Sequence, residues 1–188
     1  MRILALSGSL RRDSYNTRLA RAAGELAPDG VRVELYPPEL LAAIPPYDAD
    51  IDDLGQPESV TQLKQAIREA DAVLVATPEY NSSIPGQLKN VLDWVSRPLA
   101  ESPLRGKPTT VVGASTSAYG AVWAQADARK VLGMLGARLV EAEVAVPHAA
   151  ERFDEGGRLV DDETREQLAS AVADLVDAAA PSPIAVAA

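Results

Sequence analysis

The chain has 188 residues, 47% of them hydrophobic and 24% charged, with a formal net charge of −9. That supports one domain with a sizeable core and excludes a disordered, collagen-like or disulfide-stapled protein. Cysteine is absent, which removes thiolate metal sites and cysteine nucleophiles, and the acidic balance disfavours nucleic acid and anionic membrane as partners.

The opening run Met1-Arg2-Ile3-Leu4-Ala5-Leu6 is too short for a secretion signal or a membrane span, so a cytoplasmic location is expected. Ile3 to Leu6 reads as a buried strand, ended by Ser7-Gly8-Ser9. Leu19, Ala23, Leu26 and Ala27 share one face of a helix. Val31 to Leu35 alternates as a second strand, which Pro37-Pro38 stops. Residues 37–58 hold four prolines between Tyr36 and Tyr47, then Asp48, Asp50, Asp52 and Asp53, and read as a long surface loop. Those acids lack the turn glycine and closing glutamate of a calcium loop, so no metal is expected there.

Val60, Leu63, Ile67 and Ala70 mark a second helix, and Ala72 to Ala76 a third strand closed by Thr77-Pro78. A third helix is expected from Pro85, with Leu88, Val91, Leu92 and Val95 turned inward. Thr109 to Val112 forms a fourth strand that ends in Gly113-Ala114-Ser115. Ala121, Ala128, Val131, Leu132 and Leu135 line a fourth helix. Leu139 to Val146 is a fifth strand, and Leu168, Val172, Leu175 and Val176 define the last helix. One domain over residues 1–178 follows, with 179–188 as a flexible tail.

Strict alternation of strands and helices predicts an α/β fold: a doubly wound, five-stranded parallel sheet with helices on both faces, in the flavodoxin-like order 2-1-3-4-5. Ligands of such sheets bind beyond the carboxyl ends of the strands at the switch point. Three segments fall there.

The first, Ser7 to Thr17, is rich in hydroxyls and opens a helix whose unpaired N–H groups attract an anion. Up to residue 24, Arg2, Arg11, Arg12, Arg18 and Arg21 accompany a single acid, Asp13: a basic patch on an acidic protein. Phosphate binding is favoured over capping by Asp13 or Ser14 alone. The segment has neither a Walker loop nor a GxGxxG fingerprint, which favours a monophosphate over a nucleoside triphosphate or a dinucleotide. The second segment, Thr77 to Asn90, has prolines at both ends and turn residues between them. It reads as a fixed loop that aims backbone groups at the edge of a planar heterocycle, with Tyr80 stacking on or capping it. The third, Gly113 to Ala121, offers small residues and hydroxyls.

Gly8-Ser9-Leu10-Arg11 with Ser14-Tyr15-Asn16, then Pro78-Glu79-Tyr80-Asn81-Ser82-Ser83-Ile84-Pro85-Gly86-Gln87-Leu88-Lys89-Asn90 and Leu92-Asp93-Trp94, together resemble the NADPH-dependent FMN reductase family, from about Ile3 to Val146. That family includes bacterial quinone, chromate and azo-dye reductases. The resemblance implies non-covalent FMN, with NADPH or NADH as co-substrate delivering hydride to the flavin and a small acceptor (a quinone, chromate, an azo compound or free flavin) taking the electrons. It places Ser9, Arg11, Ser14, Tyr15 and Asn16 around the phosphate. Pro78, Glu79, Tyr80 and Asn81 fall along the ribityl chain and ring edge, and Ser115, Tyr119 and Gly120 in the third loop. No side chain is implied as a catalytic acid, base or nucleophile, because the chemistry is the flavin's. Backbone N–H groups near Tyr80 and Asn81 are expected to face charge on the reduced ring. Ala121 stands where many relatives carry a second glycine, a methyl that bears on access to the flavin.

Other readings follow from single residues. An acidic flavodoxin-type electron carrier is the alternative, and a non-catalytic nucleotide-binding module a lesser one. His148 reads as a surface residue and Glu79 as a carboxylate hydrogen-bonded to loop backbone. Lys89 and Asn90 are expected to face solvent or a partner. Trp94 is expected in the core. Trp123, offset from the apolar stripe of its helix, marks an interface, so a homodimer or homotetramer built on the third and fourth helices is expected.

Overall fold

The structure, a computed structural model, describes residues 1–181. The strands are β1 (Arg2–Ser7), β2 (Arg32–Leu35), β3 (Ala72–Thr77), β4 (Pro108–Ala114), β5 (Arg138–Leu139) and β6 (Ala145–Val146). The α-helices are α1 (Tyr15–Glu25), α2 (Pro38–Ala42), α3 (Ala49–Leu54), α4 (Glu58–Glu69), α5 (Gly86–Val95), α6 (Val122–Met134) and α7 (Asp162–Ala179). Every strand pairing is parallel, and the order is β2-β1-β3-β4-β5, with β6 beside the upper end of β4. This is the doubly wound, flavodoxin-like arrangement that the alternation predicts.

Period-two alternation sorts the central strands between two cores. Leu4, Leu6, Val73, Val75 and Val111 face α4, α5 and α6, where Leu63, Ile67, Val91, Trp94 and Leu132 are sealed from solvent. Ile3, Ala5, Leu74, Ala76 and Val112 face α1 and α7, packing on Leu19, Ala23, Leu168, Val172 and Leu175. With both faces covered, β3 and β4 are buried along their whole length, as parallel strands require.

Four expectations need correction. Residues 37–58 are not one long loop, because α2 and α3 form within them. Pro38 opens α2. The Asp48 carboxylate accepts from the Asp50 N–H at 2.9 Å and starts α3. Each helix is too short to display a 3.6-residue period in sequence. The segment is held by α5: Gln87 donates to the carbonyls of Leu41 and Ile44 at 2.6 and 3.2 Å, and Trp94 Nε1 donates to Pro45 at 2.8 Å. Asn90 therefore turns inward, accepting from the Tyr47 N–H at 2.7 Å and donating to the Pro45 carbonyl at 2.8 Å. Lys89 does face solvent, paired with Asp93 at 2.7 Å.

The fifth strand is interrupted. β5 pairs with the start of β4 and β6 with its end. Between them the Arg129 guanidinium enters from α6 and donates to the carbonyls of Val111 and Ala142 at 3.1 and 2.7 Å. A side chain thus takes the place of ladder bonds, and the strand resumes only at Ala145. The last helix runs to Ala179 and so includes the first residue expected in the tail; residues 182–188 lie outside the described part.

Gly120, at φ 57°, fixes the approach of the β4–α6 loop to β6. A Cβ there would lie 2.6 Å from the Ala145 carbonyl carbon and 2.7 Å from the Val146 nitrogen. Ala121 follows, also left-handed at φ 64°, fully buried, its methyl against Gly113. Gly120→Ala should therefore cost about 3 kcal/mol or more in urea unfolding of the purified protein, since backbone cannot yield to the new atom. Ala121→Gly should change stability by no more than about 1 kcal/mol, as relief of left-handed strain offsets a lost buried methyl.

Candidate functional site

The carboxyl ends of β1, β3 and β4 are adjacent, and the three loops that leave them close around one cleft. The β1 loop stays against the sheet because the Gly8 N–H continues the ladder to the Ala76 carbonyl at 2.8 Å. A Cβ at Gly8 would meet Leu88 Cδ2 at 3.0 Å and Pro78 Cδ at 3.4 Å, so glycine lets the first two loops touch. Ser14 caps α1, its hydroxyl accepting from the Thr17 N–H at 3.3 Å. Among the described residues the N–H groups of Tyr15 and Asn16 meet no acceptor. They open toward the cleft beside Ser9, Ser14 and the exposed Arg11, which forms no ion pair among the described residues. A helix N-terminus, two hydroxyls and a guanidinium make an anion seat.

The β3 loop is rigid. Thr77 Oγ1 donates to the Pro78 carbonyl at 2.8 Å. Tyr80 and Ser83 exchange N–H···O bonds of 3.0 and 3.1 Å across Asn81 and Ser82, at φ 52° and 60°. This is the tight turn of a two-residue hairpin, in which both central residues adopt positive φ. The Tyr80 N–H is thereby engaged within the turn, which corrects the expectation that it faces a ligand. Two carboxylates tie the loop to α6. Glu79 Oε2 accepts from the N–H groups of Trp123 and Ala124 at 3.0 and 3.2 Å, and Ser83 donates to Asp127 at 2.6 Å. The backbone that Glu79 bonds is that of α6 rather than its own loop.

Ser9, Arg11, Ser14, Tyr15, Asn16, Pro78, Glu79, Tyr80 and Ser115 all border this cleft, with Ala114 and Thr116, the neighbours of Ser115 in the third segment. Asn81 lies at the turn tip, away from it. Tyr119 instead packs on Trp123, with ring centroids 4.8 Å apart, and Gly120 is buried. Ala121 does not reach the cleft either, so its methyl narrows nothing there. Asn16 borders the cleft but its side chain is engaged: the amide donates to the Ala114 carbonyl at 2.9 Å and accepts the Ala114 N–H at 2.8 Å. Tyr15 stands between Phe153, centroids 5.6 Å apart, and the Arg18 guanidinium, 5.5 Å from the ring.

A more apolar hollow continues from the cleft across Arg11 and Tyr80, floored by Gly8, Leu10, Pro85, Gly86 and Gln87. Leu10, half exposed between a serine and an arginine, was its one signal in sequence. The basic patch does not converge on the cleft. Arg12, Arg18 and Arg21 line a separate groove along α1 with Arg158. His148 is exposed, as expected. Among the described residues no three acids or histidines gather to hold a metal.

The profile of the NADPH-dependent FMN reductase family matches residues 1–151. An NAD(P)H-dependent FMN reductase of Pseudomonas aeruginosa is 43% identical over 169 residues, 89% of each chain. A 2-hydroxy-1,4-benzoquinone reductase of a Burkholderia species is 40% identical, covering 89% of this chain and 90% of the relative. Among solved structures, the flavoenzyme NAD(P)H:(acceptor) oxidoreductase FerB of Paracoccus denitrificans superposes with a TM-score of 0.84 at 35% identity, over 95% of this chain and 96% of the other.

Because its side chain is engaged with Ala114 on both sides, Asn16→Ala should lower the stability of the ligand-free protein by about 2–3 kcal/mol. Urea titration measures it; an unchanged midpoint would mean the side chain serves a ligand instead.

Proposed function

The chain belongs to the NADPH-dependent FMN reductase family and is an NAD(P)H-dependent flavoenzyme, and from that premise we propose that it reduces quinones with FMN held in the cleft described above. One observation carries the assignment of the cleft. An anion seat at the start of α1 and a rigid, carboxylate-anchored loop after β3 border the same cleft, and a more apolar hollow adjoins it across Arg11 and Tyr80. The donor set suits a phosphate monoester, and the apolar extension between Leu10, Tyr80 and Pro85 suits a flat aromatic ring.

In this reading the N–H groups of Tyr15 and Asn16, the Ser9 and Ser14 hydroxyls and Arg11 hold the phosphate. Arg11 also lies where the two hollows join and supplies charge to both. Pro78, Glu79 and Tyr80 form the wall along the ribityl chain. Ser115 and Thr116 close the opposite side. Bound FMN supplies the redox chemistry, taking hydride from reduced nicotinamide and giving electrons to the acceptor. The protein's part would be to position the ring and, through Gly8, Leu10 and Pro85 of the adjoining hollow, to shield it from water while NAD(P)H and quinone reach it in turn. No titrating side chain need act on the acceptor.

The quinone assignment draws on relatives that align over most of this chain and are named as quinone reductases. The electron-carrier alternative finds no support among these reductases. A cytoplasmic location belongs to this reading and is supported by the reaction's need for reduced nicotinamide; no helix of the described residues is long and apolar enough to cross a membrane. Tyr119, Val122 and Trp123 stand 59%, 40% and 45% exposed at the start of α6. Apolar surface beside a cofactor cleft is the natural face for a second copy, so the working enzyme is a homo-oligomer that meets through α5 and α6. Light scattering at micromolar concentration showing only a 19.8 kDa species would refute the assembly.

The purified protein should be yellow, lose that colour anaerobically with NADPH, and reduce benzoquinones without a partner protein. Arg11→Ala should weaken FMN binding by about 10- to 100-fold, the worth of one charge-assisted contact. A wild-type protein that takes up no FMN in a fluorescence titration ends the reading.

A further inference from the structure

We infer that Glu79 is a positioning residue for the flavin: it caps α6 from another loop, and through that cap sets where the β3 loop stands. This rests on the FMN reading above. The start of α6 explains why such a cap is needed. Its N-cap position is Ala121, which has no side chain able to accept, and the first turn of the helix carries no acid of its own. The Val122 N–H reaches the Tyr119 carbonyl at 3.3 Å, and the Gln125 N–H reaches the Ala121 carbonyl at 3.0 Å. The two donors left between them, Trp123 and Ala124, both go to Glu79 Oε2. A residue 44 positions earlier thus supplies what an aspartate or serine at position 121 ordinarily would.

The bond works in both directions. For the helix it satisfies two N–H groups and brings a negative charge to the positive end of the dipole. For the loop it fixes Glu79, the residue between Pro78 and Tyr80, at the wall of the cleft. The second tie, Ser83 to Asp127, lies one turn further along the same helix and holds the far side of the tight turn. Between these anchors the backbone has little freedom, since Pro78 precedes and Asn81 and Ser82 are already locked at positive φ. Of the two ties, Glu79 is the one that borders the cleft. Losing it would release Tyr80 and the loop wall together, while the cores of the sheet stay packed.

An amide keeps the oxygen that accepts both N–H groups and drops the charge; a methyl group drops both. The test therefore compares Glu79→Gln with Glu79→Ala, reading FMN affinity by quenching of flavin fluorescence and amide hydrogen exchange of Trp123 and Ala124 in the FMN-free protein. Glu79→Ala is expected to weaken FMN binding about tenfold and to speed exchange at both amides, while Glu79→Gln stays within about threefold of wild type on both readouts. Should Glu79→Ala not fold, Glu79→Asp, one methylene too short to span to α6, takes its place with the same expectation. Unchanged FMN affinity in the alanine or aspartate variant overturns the inference. Equal weakening in glutamine and alanine variants also overturns it, because the carboxylate would then act on the ligand by its charge. Failure of the wild-type protein to bind FMN is a separate outcome, and sinks the functional reading itself.

Discussion

The cleft depends on one side chain that bridges it. Asn16, in the first turn of α1, bonds both backbone groups of Ala114 at the end of β4. β3 lies between β1 and β4 in the sheet, so this amide spans the top of a whole strand and ties the first loop to the third. Such a bond is buried, and an orphaned donor or acceptor in its place would be costly. With the α1 terminus pinned to β4, the free N–H groups of that terminus cannot drift away from the β3 loop that faces them.

The remaining geometry follows from close approach. Gly8, Gly113 and Gly120 each sit where a Cβ would lie 3.0 Å or less from another element: Leu88 of α5, Thr77 of β3 and Ala145 of β6 respectively. The backbone around the cleft is thus held close to the elements beside it. Polar anchors then set direction: Thr77 and the Tyr80–Ser83 turn shape the β3 loop from within, and α6 holds it from outside. Preorganisation of this kind lowers the conformational entropy lost when a ligand binds. It also suits a protein whose contribution to the chemistry is placement.

Most of this was legible in the residues, for definite reasons. Buried parallel strands appear as unbroken apolar runs, so Ile3–Leu6 and Ala72–Ala76 were plain, and the order of the sheet followed from the alternation. The cleft was legible because its donors lie in short contiguous segments. What escaped was whatever depends on partners distant in the chain. Arg129 splits the last strand by reaching across from α6. Asn16 and Asn90, polar residues on helices, turn inward to carbonyls 98 and 45 residues away. The arginines clustered in sequence part in space: Arg11, in the loop before α1, borders the cleft, whereas Arg12 of that loop joins Arg18 and Arg21 of α1 in the separate groove. Tyr119 and Gly120 lie close to Ser115 in the chain, yet Tyr119 packs on Trp123 and Gly120 against β6, contacts made with residues further along the chain.

The two tryptophans occupy opposite environments. Trp94 is sealed in the core with its indole nitrogen bonded to the Pro45 carbonyl, whereas Trp123 is half exposed against Tyr119. Intrinsic emission therefore separates into a dark-water and a wet component, and a collisional quencher added to solution reaches only the second. The chain carries its own optical gauge of collisional access at the head of α6, read against a second tryptophan that a dissolved quencher does not reach.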